Sequence, residues 1–165
     1  HASPPCQRFS QCQNLQGNRD AHPDLVGPTR DLLTRSGKPW VIENVPGAPL
    51  VGWYVTLCGM MFGLGVLRHR LFESSILLMQ QRHPKHPAHL RTGTLSKEGR
   101  GRGTGYSDGK MGLVSVAGHN FNLAAGKVAM GIDWMTREEL SEAIPPAYTR
   151  FIGVQLLAQV KAAAW

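Results

Sequence analysis

Apolar positions in this chain come in short clusters separated by polar, turn-rich stretches. After His22-Pro23-Asp24, the positions Leu25, Val26, Thr29, Leu32 and Leu33 recur at roughly helical spacing, with Gly37 as a stop. They predict a helix over residues 24–36. Trp40-Val41-Ile42 is a short apolar run that reads as a buried strand, ending in Glu43-Asn44 and turned away by Pro46-Gly47. Thr56 to Leu64 is apolar with glycine breaks, which suits a helical turn at a tight packing corner with Cys58 in the core. Leu67 to Ser74 reads as a strand whose two-residue period puts Arg68, Arg70 and Phe72 on one face. Gly112 to Gly118 reads as another strand, and Ala124 to Ile132 as a small-residue connector. Thr136-Arg137-Glu138-Glu139 is a capping box opening a short helix. Pro145-Pro146 starts the last helix, with Ile152, Leu156, Leu157 and Val160 on its apolar face. There is no internal repeat.

Two stretches lack such patterning. Residues 7–22 are polar, with Gly17, Asn18 and Asp20 as loop formers. In residues 79–110, Arg82, Lys85, Arg91, Lys97, Arg100, Arg102 and Lys110 face only Glu98 and Asp108, glycines recur, and Tyr106 is the lone aromatic. Such a loop tracks a phosphate backbone or is a solvated insert, and composition leaves both open.

The length of 165 residues and the 42% hydrophobic content suit one soluble domain with a real core. A net charge of +7 favours a polyanionic partner, most simply nucleic acid, but a merely soluble basic protein has the same balance. Cys6, Cys12 and Cys58 are too few and too odd in number for a disulfide framework. With no charged-then-apolar leader and no membrane-length apolar run, a reducing, cytoplasmic setting is expected. His83, His86 and His89 have no cysteines or carboxylates at matching spacing, and the prolines between them prevent a helical face, so no metal is expected.

Candidate chemistry concentrates in three places. Cys6 follows Pro4-Pro5, which hold it on a stiff loop suited to a nucleophile; the alternative is a small buried hydrophobe. Glu43 stands at the carboxyl end of a hydrophobic strand, where ligands collect in open α/β sheets. Buried there it needs a partner; otherwise it is a loop glutamate or a structural acceptor. Arg68 and Arg70 on one strand face call for an anion or carboxylate, or line a solvated edge.

Pro5-Cys6-Gln7, then Glu43-Asn44-Val45, then Arg68-x-Arg70 resemble, in that order, motifs of the DNA cytosine-5 methyltransferases. The likeness extends over Ala2 to Ser10, Trp40 to Pro49, Leu57 to Ser74 and Met130 to Gly153, and is to the small enzymes of phages and actinobacteria. It implies an α/β fold: the carboxyl-terminal portion of a Rossmann-like methyltransferase domain. Residues 1–78 would form part of the catalytic core, 79–128 a basic target-recognition insert, and 129–165 the closing helices.

By the same resemblance, Cys6 is the nucleophile that adds to carbon 6 of cytosine. Glu43 is the acid that engages ring nitrogen 3, Arg70 holds the carbonyl oxygen, and Arg68 supports the site or a phosphate. Pro5, Gln7, Ser10, Asn44 and Val45 would contact the base; Arg82, Lys85, Arg91, Lys97, Arg100, Arg102 and Lys110 would contact DNA phosphates. Pro4, Pro5 and Tyr148 would touch the methyl donor S-adenosylmethionine. The chemistry suits the residues: an ordinary cysteine, with pKa about 8.5, is only a few per cent thiolate at neutral pH, and neighbouring positive charge raises that fraction. Burial of Glu43 would favour its protonated form. Because the target base lies inside a duplex, it must be flipped out.

The chain departs from the family pattern at three points. Val66 stands where a glutamine is usual. The glycine-rich first motif that binds S-adenosylmethionine is absent and would lie upstream of His1. Ile144-Pro145-Pro146-Ala147-Tyr148-Thr149 takes the place of the usual last motif. The expectation is therefore a fragment that needs an upstream half, acts on double-stranded DNA, is monomeric when complete, and works in a bacterial or phage-infected cytoplasm, as in restriction-modification. The alternatives are a non-catalytic nucleic-acid-binding fragment, one half of a split enzyme, or an RNA cytosine methyltransferase.

Overall fold

The computed structural model describes residues 1–10, 19–86, 113–118 and 121–162. Its elements run, in order, α1 (Val26–Arg35), β1 (Val41–Asn44), β2 (Tyr54–Leu57), β3 (Arg70–Ser74), α2 (Leu123–Met130), α3 (Arg137–Glu142) and α4 (Pro146–Ala162), with 3-10 turns at Arg19–Ala21 and Gly59–Phe62. The protein is a mixed α/β chain. Its three strands form an antiparallel sheet in the order β1-β3-β2. None of the described helices is long and apolar enough to cross a membrane.

The described chain divides into two compact units. The first comprises His1–Leu57, His69–Gln80 and Ile152–Trp165; the second comprises Cys58–Arg68 and Gln81–Phe151.

In the first unit, β1 is buried along its whole length, as its apolar run requires. One edge of β1 pairs with β3, with Glu43 opposite Phe72 and Ile42 opposite Glu73. Its other edge takes a parallel bridge from Ala2, whose N–H donates to the Val41 carbonyl at 2.9 Å and whose carbonyl accepts from the Glu43 N–H at 2.8 Å. Val55 and Leu57 of β2 are fully buried, whereas Tyr54 is exposed and Thr56 half-exposed. That alternation is the ordinary signature of a strand packed on one face, yet the sequence reading placed Thr56 and Leu57 in a helical corner. The corner does exist, one step later, at the 3-10 turn that Gly63 closes with φ 67°.

Helix α1 fits its predicted span to within a residue or two. Its inward stripe differs from the expected apolar set: Val26, Arg30 and Leu33 follow i, i+4, i+7 spacing, while Leu32 is 63% exposed. Arg30 reaches the other face of the sheet from Glu43, pairing with Glu73 through Nε–Oε1 at 2.5 Å and Nη2–Oε2 at 2.8 Å. The same guanidinium donates to the Pro49 carbonyl, and Glu73 accepts from the Val51 N–H, so one ion pair fastens helix, strand and loop.

The second unit is built on a core of Val66, Val116, Phe121, Ala129, Met130, Ile132 and Leu140. The strand expected at 112–118 is, among its described residues, a single parallel bridge between Val114 and Val66. The connector expected from Ala124 to Ile132 is largely helix α2. Asn122 caps it by accepting from the Ala125 N–H at 3.0 Å, and Gly131 ends it with φ 67°. Small residues read as a linker were therefore good helix formers lying between two caps. Gly126 within α2 has to be glycine, because a Cβ there would meet the Phe121 ring at 2.7 Å.

Helix α3 begins with the capping box as read. Thr136 and Glu139 exchange backbone and side-chain hydrogen bonds, with the Thr136 N–H donating to Glu139 Oε2 at 2.8 Å. These bonds, first to the backbone and then to the hydroxyl, hold the Glu139 carboxyl below the usual carboxylate range. A lowered folded-state pKa contributes stability that is present above the unfolded value and is lost as pH falls through the folded one. Acidification should therefore loosen α3, and Glu139→Gln should flatten that part of the acid limb. Melting curves of parent and variant between neutral pH and strong acid check this; parallel curves would remove the assigned role.

Candidate active site

Glu43 is carried to the carboxyl end of β1 with 6% of its surface exposed. Arg70 opens β3, two residues from the Phe72 that faces Glu43, so the antiparallel register makes the two a diagonal pair on one sheet face. Arg70 Nε lies 3.0 Å from Glu43 Oε1, and neither side chain is more than 15% exposed. Phe72, Val55 and Leu57 occupy the same face and are buried. The carboxylate thus has the partner that its burial demands.

The Cys6 loop is fastened to the same strand. Beyond the Ala2 bridge, the fully buried Asn44 side chain donates from Nδ2 to the Pro4 carbonyl at 3.0 Å and accepts from the Val45 N–H at 2.9 Å. Pro4 is buried, Pro5 exposed, and Cys6 is half-exposed and outside any disulfide. The Cys6 carbonyl accepts from the N–H groups of Phe9 and Ser10, each at 2.9 Å, which closes a tight turn immediately after the thiol. Gln7 is exposed, and Ser10 and Val45 are half-buried. Cys6, Glu43, Asn44 and Arg70 therefore belong to one unit, linked by strand pairing and side-chain hydrogen bonds.

Arg68 falls in the other unit. It precedes β3, so the two-residue period that would align it with Arg70 stops short of it. It belongs to the second unit, where its guanidinium donates to the carbonyls of Val116 and, at 2.8 Å, Ser141. Tyr148, fully buried, donates its hydroxyl to the Arg68 carbonyl. Of the three residues expected to touch S-adenosylmethionine, Pro4 and Pro5 belong to the first unit and Tyr148 to the second. Of the expected phosphate contacts, Arg82 and Lys85 are exposed. Arg91, Lys97, Arg100, Arg102 and Lys110 lie outside the described residues, as do His89 and Cys12.

One juxtaposition has no signature in spacing along the chain. In the second unit Cys58 comes to His83 and His86, although the spacing along the chain had counted against a metal. The signal was present in the paired histidines, but their cysteine stands 28 positions before His86.

Comparison with known protein families, with curated proteins and with solved structures finds no match for this chain.

Proposed function

We propose that the chain is the nucleophile-bearing portion of a DNA cytosine-5 methyltransferase, the antiparallel strands and the Ala2 bridge forming the carboxyl-terminal side of a Rossmann-like sheet. One observation carries this reading. The buried Glu43–Arg70 pair stands at the end of the strand to which the Cys6 loop is tied, so Cys6, Glu43 and Arg70, one residue from each of three motifs far apart in sequence, fall in one unit.

Carbon 5 of cytosine is too poor a nucleophile to take a methyl group directly. Addition of the Cys6 thiolate at carbon 6 forms a carbon–sulfur bond and pushes the ring electrons toward carbon 5 and nitrogen 3. Arg70 donates to the carbonyl oxygen of the base, and Glu43 takes a proton-bearing position at nitrogen 3 as charge develops there. The incoming base draws Arg70 away from Glu43, and the buried carboxyl then favours its protonated form. Once carbon 5 carries the methyl group that S-adenosylmethionine would supply, loss of its proton to water restores the 5,6 double bond and expels the thiolate.

The test is covalent trapping on duplex DNA carrying 5-fluorocytosine, with S-adenosylmethionine, with and without the cofactor-binding half of a family methyltransferase added in trans. Fluorine does not leave carbon 5 as a proton does, so the thiolate stays attached. The expected result is a denaturation-resistant adduct in at least one arm, abolished by Cys6→Ser with duplex binding retained. Firm DNA binding without an adduct in either arm would make the chain a binding module. An adduct with structured RNA alone would move the substrate.

A further inference from the structure

We propose that Cys58, His83 and His86 form a binding site for a zinc-class divalent cation. Each offers one ligand atom, and these atoms lie within 4.8 Å of one another. Cys58 Sγ is 3.4 Å from His86 Nε2, and the His83 and His86 rings are 4.8 Å apart between centroids, tilted by 54°. Tetrahedral zinc with Zn–S of about 2.3 Å and Zn–N of about 2.0–2.1 Å sets sulfur and nitrogen ligands ~3.5 Å apart. The Cys58–His86 separation already matches that edge, and His83, whose ligand atom lies within 4.8 Å of the others, would draw in to complete the set.

The donor set decides the class of metal. One thiolate and two imidazoles suit borderline-soft ions such as zinc; calcium and magnesium take oxygen ligands. The three protein ligands leave a fourth position for water or another donor. As the metal–sulfur bond forms, the Cys58 thiol gives up its proton to solvent, so loading releases a proton and weakens in acid.

The backbone around the cysteine is held firmly. Cys58 is fully buried, its carbonyl accepts from the Met61 N–H at 3.0 Å, and its N–H donates to Met61 Sδ at 3.3 Å. A Cβ on the next residue, Gly59, would meet the Val66 carbonyl oxygen at 2.2 Å, so the chain passes Val66 at a distance only glycine permits. The histidines come from an irregular segment in which Pro84 restricts the turn between them. A cation would cross-link that segment to the Cys58 corner within the second unit. Cys6, Glu43 and Arg70 take no part, so the site stands or falls independently of methyl transfer.

The experiment uses the full chain, stripped with a chelator and titrated with cobalt(II), then with zinc(II). The expected results are one cobalt per chain with thiolate-to-cobalt charge-transfer absorption, displacement by zinc, and a higher melting temperature in zinc. Cys58→Ser should remove the charge-transfer band, whereas Cys6→Ser should keep it. His86→Asn, at a half-buried position, should weaken zinc binding by more than about 100-fold, beyond the cost of losing an outer-shell partner. If Cys58→Ser fails to fold, the band in the parent and the His86→Asn affinity still decide the matter. Absence of stoichiometric cobalt or zinc binding, or unchanged affinity in His86→Asn, would reduce the cluster to a thiol–imidazole contact and overturn the proposal.

Discussion

Glu43→Gln should slow adduct formation with 5-fluorocytosine duplex by about 10²- to 10⁴-fold, the range a positioned general acid supplies, while duplex affinity should change little. The amide keeps the shape of the carboxyl but has no proton to give nitrogen 3 as the thiolate adds. It also leaves the Arg70 guanidinium, 15% exposed, without its anion, so a fold control is part of the experiment. Urea unfolding of the variant separates the two effects: a folded variant with slow trapping assigns the loss to chemistry. Paired rates for Glu43→Gln and Arg70→Lys sharpen this. Lysine keeps the charge but not the planar fork of donors, so it should weaken hold on the base more than it alters the fold. An unchanged trapping rate in a folded Glu43→Gln protein would remove the residue from the mechanism.

What the sequence made legible was local. Pro4-Pro5-Cys6 and Trp40 to Asn44 each carry their own geometry: proline stiffness in one, a short apolar run ending in a carboxylate in the other. The capping box at Thr136 was equally self-contained. The Glu43–Arg70 pair was half legible, because burial demanded a cation and an arginine strand was at hand, but the antiparallel register that chooses Arg70 over Arg68 depends on where β3 begins. Strand β2 was missed because its four residues alternate too briefly beside glycine-rich neighbours. The Cys58 cluster and Arg30 were illegible for a different reason. A charged residue on an exposed-looking helix, or a cysteine in an apolar corner, shows its partner only after distant segments have packed.

Arg30→Met is the substitution with the largest expected cost to the fold, about 3–5 kcal/mol, the usual penalty for stripping one partner from a buried ion pair. Glu73 is 3% exposed and sits in the middle of the sheet, opposite Ile42. Without the guanidinium it keeps only the Val51 N–H among the bonds that now surround its carboxylate oxygens. The arginine, for its part, holds its charge more firmly than usual, chiefly through the Glu73 hydrogen bonds. Three segments lose their common fastening at once: α1, the loop at Pro49 to Val51, and β3, whose first residue is Arg70. A fall in trapping rate should therefore accompany the fall in stability, although Arg30 touches neither Cys6 nor the base in the proposed mechanism. The double variant Arg30→Met with Glu73→Gln should recover most of the loss, because it removes both charges and leaves a neutral group that Val51 can still satisfy. Urea unfolding of the four proteins measures the coupling directly. A single-variant loss below about 1 kcal/mol would mean that the pair behaves like an exposed one, and the sheet face bearing Glu43 would then owe its position to apolar packing alone.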